Sequence, residues 1–363
     1  MRIVVVGASG NVGSQVLEFL AGDAPDVELV GVARRPPTQG DLADLAEWHA
    51  VDLADGDHAA AVPALTALFD GADAVIHLAW LIQPSHSPRT MEATNVDGSR
   101  RVLDAVRAAG VPALVVASSV GAYSSGPKDR RVEEDWPTGG IPTSIYSRHK
   151  VRLEQLLDAF ESDVPGTRVV RIRPGVVVQG RAASEQARYF LGPFVPMPLI
   201  RRSLIPIVPA LPRLALQVVH ASDVAAAFGK AALNGAARGA YNVAGEPVLD
   251  VQQIANALRA RPVPFSTTIA RGIVDLTWRL RLQPTDVGWL DLALGVPLMS
   301  TEKARRDLDW RPKVDARDAV LEAIEGIRTG QGGPSPVLRA VRGPLDQLVS
   351  GARSLLPRSG GRI

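Results

Sequence analysis

The chain begins with a short β-branched run, Ile3-Val4-Val5-Val6, which passes directly into Gly7-Ala8-Ser9-Gly10-Asn11-Val12-Gly13 and then into apolar residues at helical spacing, Val12, Val16, Leu17 and Leu20. A strand, a glycine turn and an amphipathic helix in this order constrain the fold more than any other feature. Glycine permits positive φ and close approach to the backbone, and the free N–H groups and dipole at a helix start attract negative charge. The segment therefore suits the pyrophosphate of a dinucleotide, here with GxxGxxG spacing. Two other uses fail on the residues. A hydrolase elbow, GxSxG, needs glycine where Asn11 stands, and no GK[ST] follows for a nucleotide triphosphate loop.

The alternation of strand-like and helical segments continues. Candidate strands are Arg2–Val6, Val27–Ala33, Trp48–Val51, Ala74–Leu78, Ala113–Ser118 and Arg168–Arg173. Six such runs separated by helical patterns predict an α/β fold, a doubly wound Rossmann-type parallel sheet with a smaller carboxy-terminal substrate lobe. We expect residues 1–178 to form the dinucleotide-binding domain, with a later stretch at about 215–245, including the strand-like Ala240–Val243, rejoining it. Residues 179–328 are expected mainly as the substrate lobe. From Thr329 the run Gly-Gln-Gly-Gly-Pro-Ser-Pro and the terminal Arg-Ser-Gly-Gly-Arg-Ile suggest a linker and extension over 329–363, with a short amphipathic helix at Val337–Leu356.

Composition narrows the partners. With 40 basic and 38 acidic residues scattered along the chain, the net charge of +2 argues against a nucleic-acid partner. The absence of cysteine excludes disulfides, thiolate metal sites and a cysteine nucleophile, and fits a cytoplasmic location. His49, His58 and His86 lack metal-ligand spacing, so no metal is expected. The most membrane-like stretch, Phe190 to Val219, is broken by Arg201, Arg202 and Arg213 and by six prolines, which predicts a loop-rich lobe rather than a transmembrane span.

Tyr146 and Lys150 lie one helical turn apart. A phenol with the ordinary pKa of about 10 is poorly matched to neutral pH, and a nearby ammonium can lower it, so the pair is a candidate proton donor and acceptor with Tyr146 as general acid/base.

Taken in order, GxxGxxG, His77-Leu78-Ala79, Asn95 in Asn-Val-Asp-Gly, Ser118-Ser119, Tyr146-xxx-Lys150 and Arg173-Pro174 resemble the extended short-chain dehydrogenase/reductases, also described as the NAD-dependent epimerase/dehydratase family, over about residues 1–260. The resemblance implies that Ser119, Tyr146, Lys150 and Asn95 are catalytic: Ser119 holding the substrate oxygen, Lys150 also holding the nicotinamide ribose, Asn95 organising the proton relay. It also implies that Gly7, Ser9, Gly10, Asn11, Val12 and Gly13 cradle the cofactor. Asp52 and Leu53 would face the adenine, and Leu78, Ala79, Pro174 and Val177 would flank the rest of the cofactor together with Asn95, Tyr146 and Lys150. His220 and Asp223 receive a structural role, as caps of an Ala-rich helix.

Where an NAD-selective site carries a carboxylate after the second strand, this chain reads Ala33-Arg34-Arg35; the expectation is NADP(H), with NAD(H) as the other candidate and Arg34 and Arg35 on the 2′-phosphate. Val120-Gly121 replaces the Asp-Glu pair of the family's dehydratases, and no asparagine follows Arg173-Pro174 as it does in several epimerases. These departures favour carbonyl/alcohol redox, and the apolar, proline-rich stretch after Phe190, where the family builds its substrate lobe, suits a small, apolar substrate. Two alternatives stand beside it: a sugar-nucleotide epimerase with tightly bound NAD, and a non-catalytic NADP-binding sensor or assembly factor. A homodimer is the assembly to expect.

Overall fold

The computed structural model describes residues 1–55, 58–82, 86–190 and 205–340. Its centre is a seven-stranded parallel sheet made of β1 (Arg2–Val6), β2 (Glu28–Ala33), β3 (Glu47–Ala50), β4 (Ala74–His77), β5 (Ala113–Ala117), β6 (Arg168–Pro174) and β7 (Gly239–Val243), in the order 3-2-1-4-5-6-7. β7 falls on the strand-like Ala240–Val243 of the later stretch and lies at the edge of the sheet, pairing Tyr241 with Ile172.

Because successive side chains of a strand point to opposite faces, the central strands feed two cores. Ile3, Val5, Ile76, Val115 and Ile172 pack on one face with Leu17 and Leu20 of α1 (Asn11–Asp23) and with Phe228 further along the chain. Val4, Val6, Val75, Val116 and Val169 pack on the other with Val102 and Val106 of α2 (Gly98–Ala109) and Leu153, Leu157 and Phe160 of α3 (Ile145–Asp163). Each such fully buried aliphatic side chain contributes on the order of 2 kcal/mol, so the sheet's position between the helices is strongly specified. α3 starts where Ser144 accepts a hydrogen bond from the Ser147 N–H.

Phe228 belongs to α4 (Ala221–Leu233), which is entered through His220, whose Nδ1 accepts from the Ser222 N–H. Asp223, expected as a cap, serves elsewhere: its carboxylate accepts from the backbone N–H groups of Lys313 and Val314, both at 3.0 Å, and so ties a distant segment to the start of α4, while His220 is the cap. Of the proline-rich stretch, residues 191–204 lie outside the described residues, as do residues 341–363, which hold most of the expected helix at Val337–Leu356. The described part of the extension does not behave as a linker. Leu338 is fully buried, Ser335 is buried and donates to the Ser9 carbonyl at 2.6 Å, and the Ser184 hydroxyl donates to the Gln331 carbonyl. Apolar burial and these hydrogen bonds outweigh the chain freedom that its glycines would otherwise give.

Candidate active site

The strand order reverses between β1 and β4, and in open α/β sheets ligands bind in the crevice at the carboxyl ends of the strands on either side of such a point. The glycine turn stands there. Gly7 has φ +90°, and a Cβ on it would lie 2.6 Å from the Ala79 nitrogen; a Cβ on Gly13 would lie 2.2 Å from the Gly7 carbonyl oxygen. Bare backbone therefore lets the turn fit tightly against Leu78 and Ala79. Gly10 caps α1 without any side-chain hydrogen bond, and the first turn of α1 carries no acidic residue, so its N–H groups are suited to a phosphate. These residues fit a dinucleotide. Gln179, which the sequence reading had overlooked, holds Asn11 through its side-chain amide at 2.6 Å.

The other expected cofactor contacts are distributed along the same edge. Arg34 and Arg35 are exposed immediately after β2, and no ion pair among the described residues engages either. The Asp52 carboxylate accepts from the Ala54 N–H at 2.9 Å, and Leu53 is buried with its carbonyl taken by Arg101. Pro174 ends β6, and Val177 follows in a short strand, Val176–Val178, where it is half-buried and its carbonyl accepts from Gln186. Ser9 is buried and Val12 packs against the first core.

Ser119 and Tyr146 meet. Ser119 follows the end of β5, its Oγ accepts from the Gly121 N–H at 3.0 Å, and both this oxygen and the Tyr146 ring stand against Gly121. Burial pushes the Tyr146 phenol up to about 12, against the opposing pull of the nearby Ser119 hydroxyl. This corrects the expectation that Lys150 lowers it. The Lys150 ammonium stands 5.8 Å from the Tyr146 ring centroid, donates to the Ala117 carbonyl at 2.7 Å and lies 3.4 Å above the Trp80 ring. Burial holds Lys150 well below the ordinary ammonium range, while the Glu154 carboxylate opposes that shift.

Asn95 sits inside a one-turn π-helix, Ala93–Asp97, where it is fully buried. Its amide both accepts from the Leu81 N–H at 2.7 Å and donates to the Leu81 carbonyl at 3.0 Å. It therefore fixes the loop that carries Trp80, and its side chain makes no hydrogen bond to Tyr146 or Lys150 among the described residues.

The aromatic neighbours of Tyr146 and the carboxylate of Glu154 escaped the sequence reading. Trp80 meets Tyr146 edge-on at 6.2 Å, and Trp289 lies over it at 5.1 Å with Phe190 packed edge-on against Trp289. The phenol thus opens toward aromatic walls. Glu154 is one more turn along α3 from Lys150, and the helical stripe 146, 150, 154 was a signal that could have found it. It is buried among Arg173 Nε at 2.8 Å, Arg171 Nη1 at 2.9 Å and Ser118 Oγ at 2.5 Å. Burial alone would raise this carboxyl, but the guanidiniums and hydrogen bonds bring it down to about 2. Its charge is thus stabilising above the unfolded carboxyl value near 4.3 and that contribution is lost as pH falls toward 2. We expect Glu154→Gln to destabilise the fold by about 3 kcal/mol at neutral pH, because the buried Arg173 guanidinium loses its acidic partner while Arg171 keeps only Asp158 and Glu161. In urea unfolding the gap to the wild type should be constant above about pH 5 and narrow on acidification; a gap independent of pH down to the lowest measurable value would refute this account.

Among the described residues no helix is long and apolar enough to cross a membrane. Curated relatives include the NAD-dependent glucose-6-phosphate dehydrogenase of Haloferax volcanii, 30% identical over 51% of this chain and 72% of that protein. Others are the uronate dehydrogenase of Pseudomonas putida, 29% identical over 48% and 60%, and the decarboxylating sterol-4-alpha-carboxylate 3-dehydrogenase of Saccharomyces cerevisiae, 25% identical over 47% and 50%. The chain thus spans only half to about three quarters of these three relatives. Among solved structures, the UDP-glucose 4-epimerase of Thermotoga maritima superposes with a TM-score of 0.65 over 91% of this chain and 99% of its own at 18% identity. The UDP-glucuronic acid 4-epimerase of Bacillus cereus, with UDP-glucuronic acid and NAD, does so at 0.66 with 17% identity over 91% and 99%. These last two likenesses speak for the fold. The family model of the NAD dependent epimerase/dehydratase family matches residues 3–244, two thirds of the chain, and this protein belongs to that family.

Proposed function

We propose that this protein is an NAD(P)-dependent oxidoreductase acting on an uncharged alcohol or carbonyl compound, with Tyr146 as proton donor and acceptor and Ser119 as the second hydrogen-bonding partner of the substrate oxygen. The observation that carries the reading is the convergence of Ser119 and Tyr146 on Gly121, with the Lys150 ammonium 5.8 Å from the Tyr146 ring centroid. The nicotinamide, when bound, supplies or accepts the hydride. The chain's own residues do the rest. A phenol held protonated is ready to protonate the oxygen of a carbonyl as it is reduced, and in the reverse direction it must first lose its proton, which raises the demand on pH. The aromatic walls formed by Trp80, Trp289 and Phe190 exclude water from that oxygen and offer no countercharge for a buried phosphate on the substrate. Retention of both Tyr146 and Lys150 speaks against a purely cofactor-sensing role.

Preference for NADP(H) is part of the proposal, supported by Arg34 and Arg35 and by the lack of a carboxylate directly after β2. Each charge-assisted hydrogen bond to a 2′-phosphate is worth about 1.5–3 kcal/mol, so NADPH should bind at least about tenfold more tightly than NADH. Arg34→Glu combined with Arg35→Glu should remove that difference while leaving NADH affinity within a few-fold. Fluorescence titration with both cofactors decides the matter, and tighter binding of NADH by the wild type would sink the preference.

A further inference from the structure

The helix α5 (Thr267–Arg279) has no buried residue, and three of its apolar side chains, Ile269, Ile273 and Leu276, are exposed. Ile269, Ile273, Leu276 and Leu280 are 57%, 50%, 57% and 59% exposed, and their spacing of four, three and four residues places them on a single stripe. Leu282, just beyond, is 47% exposed. The opposite side holds the helix to the protein: Trp278 meets His86 edge-on at 4.6 Å, and Arg271 pairs with Asp291. A helix this short is marginal in water on its own, and its strongest apolar stripe faces solvent.

Charge identifies what that stripe faces. Between Arg259 and Gln283 the chain carries five arginines, Arg259, Arg261, Arg271, Arg279 and Arg281, of which Arg279 pairs with Asp275 and Arg271 with Asp291; with both acids counted the local charge is +3 in a protein whose total is +2. Apart from Arg271, these arginines are exposed. A second copy of the chain meeting this face about a two-fold axis would bring like charges together. An anionic bilayer takes both components: acyl chains receive the Ile and Leu stripe, and headgroup phosphates receive the guanidiniums. We infer that α5 docks the protein on the surface of an anionic phospholipid membrane, lying in the interfacial plane. The following helix, α6 (Val287–Gly295), carries Trp289, so the docking surface adjoins the aromatic side of the site.

The test is flotation of the full chain with vesicles of phosphatidylcholine alone and of phosphatidylcholine mixed with phosphatidylglycerol. The wild type should float with the mixed vesicles, much less with the neutral ones, and less as salt is raised. The double variant I273E/L276E should lose at least about tenfold in bound fraction while keeping its melting temperature and its cofactor affinity. Absence of wild-type binding to the mixed vesicles would overturn the proposal, as would binding of I273E/L276E equal to the wild type, the result expected if residues 191–204 of the chain itself cover the stripe. So would light scattering that shows a wild-type oligomer which I273E/L276E dissolves, since the stripe would then belong to a second copy. The salt dependence of the wild type needs no variant and stands if the double variant fails to fold.

Discussion

Tyr146→Phe is expected to lower turnover by about 10²- to 10⁴-fold while cofactor affinity stays within about twofold. The substitution removes one oxygen and leaves the ring in place, so the packing against Trp289 and Trp80 survives. Stability should change by only about 1 kcal/mol, the scale of one polar interaction of a hydroxyl. Loss of activity without loss of fold or of cofactor binding is what separates a proton-transfer role from a structural one. The pH profile adds a second reading. Burial holds the phenol at about 12, so the wild type should reduce its substrate at a rate nearly flat through the neutral range, whereas oxidation should rise with pH because it needs the phenolate. Steady-state assays in both directions check this, and a variant that keeps turnover within a few-fold of the wild type would take Tyr146 out of the mechanism.

The parts legible in the sequence are those set by local rules. Ile3 to Val6 alternates between two buried faces, and Gly7 to Gly13 needs only adjacent residues to define a turn, so both were readable without any tertiary information. The helical offset of Tyr146 and Lys150 was equally readable, but offset reports the face and not the surroundings. Whether a buried phenol rises or falls depends on the balance of desolvation against charge, and that balance rests on how deeply α3 is packed and on Lys150 being drawn to Trp80 and the Ala117 carbonyl. Trp80 and Trp289 belong to segments far apart in sequence, and only the folded chain brings both against one ring. The hold of Asn95 on Leu81 was hidden for another reason. A single π-turn has no compositional signature, so a residue that binds both polar groups of Leu81 looks in sequence like an ordinary cap or relay residue.

Gly13→Ala should produce the other large effect, on the cofactor rather than on the chemistry. The added Cβ would fall 2.2 Å from the Gly7 carbonyl oxygen and 2.7 Å from the Ala8 Cα, both backbone atoms that no rotamer change can move aside. Gly7 cannot retreat either: its own hydrogen side is closed by the Ala79 nitrogen, and its carbonyl accepts the Gly10 N–H at 3.1 Å. Relief therefore requires α1 to shift away from β1, which loosens Leu17 and Leu20 in the first core and re-aims the N–H groups that face the pyrophosphate. We expect a loss of stability of about 2–4 kcal/mol and at least a tenfold weaker grip on either cofactor, about 1.4 kcal/mol or more. Gly10→Ala supplies the contrast, because its Cβ would meet the same oxygen at 3.3 Å, a distance that a small adjustment accommodates. Urea unfolding and cofactor titration of the two variants separate steric closure from general glycine flexibility. If Gly10→Ala were as damaging as Gly13→Ala, backbone freedom throughout the turn would be the controlling property; a much larger effect at Gly13 assigns control to the contact between the start of α1 and the end of β1.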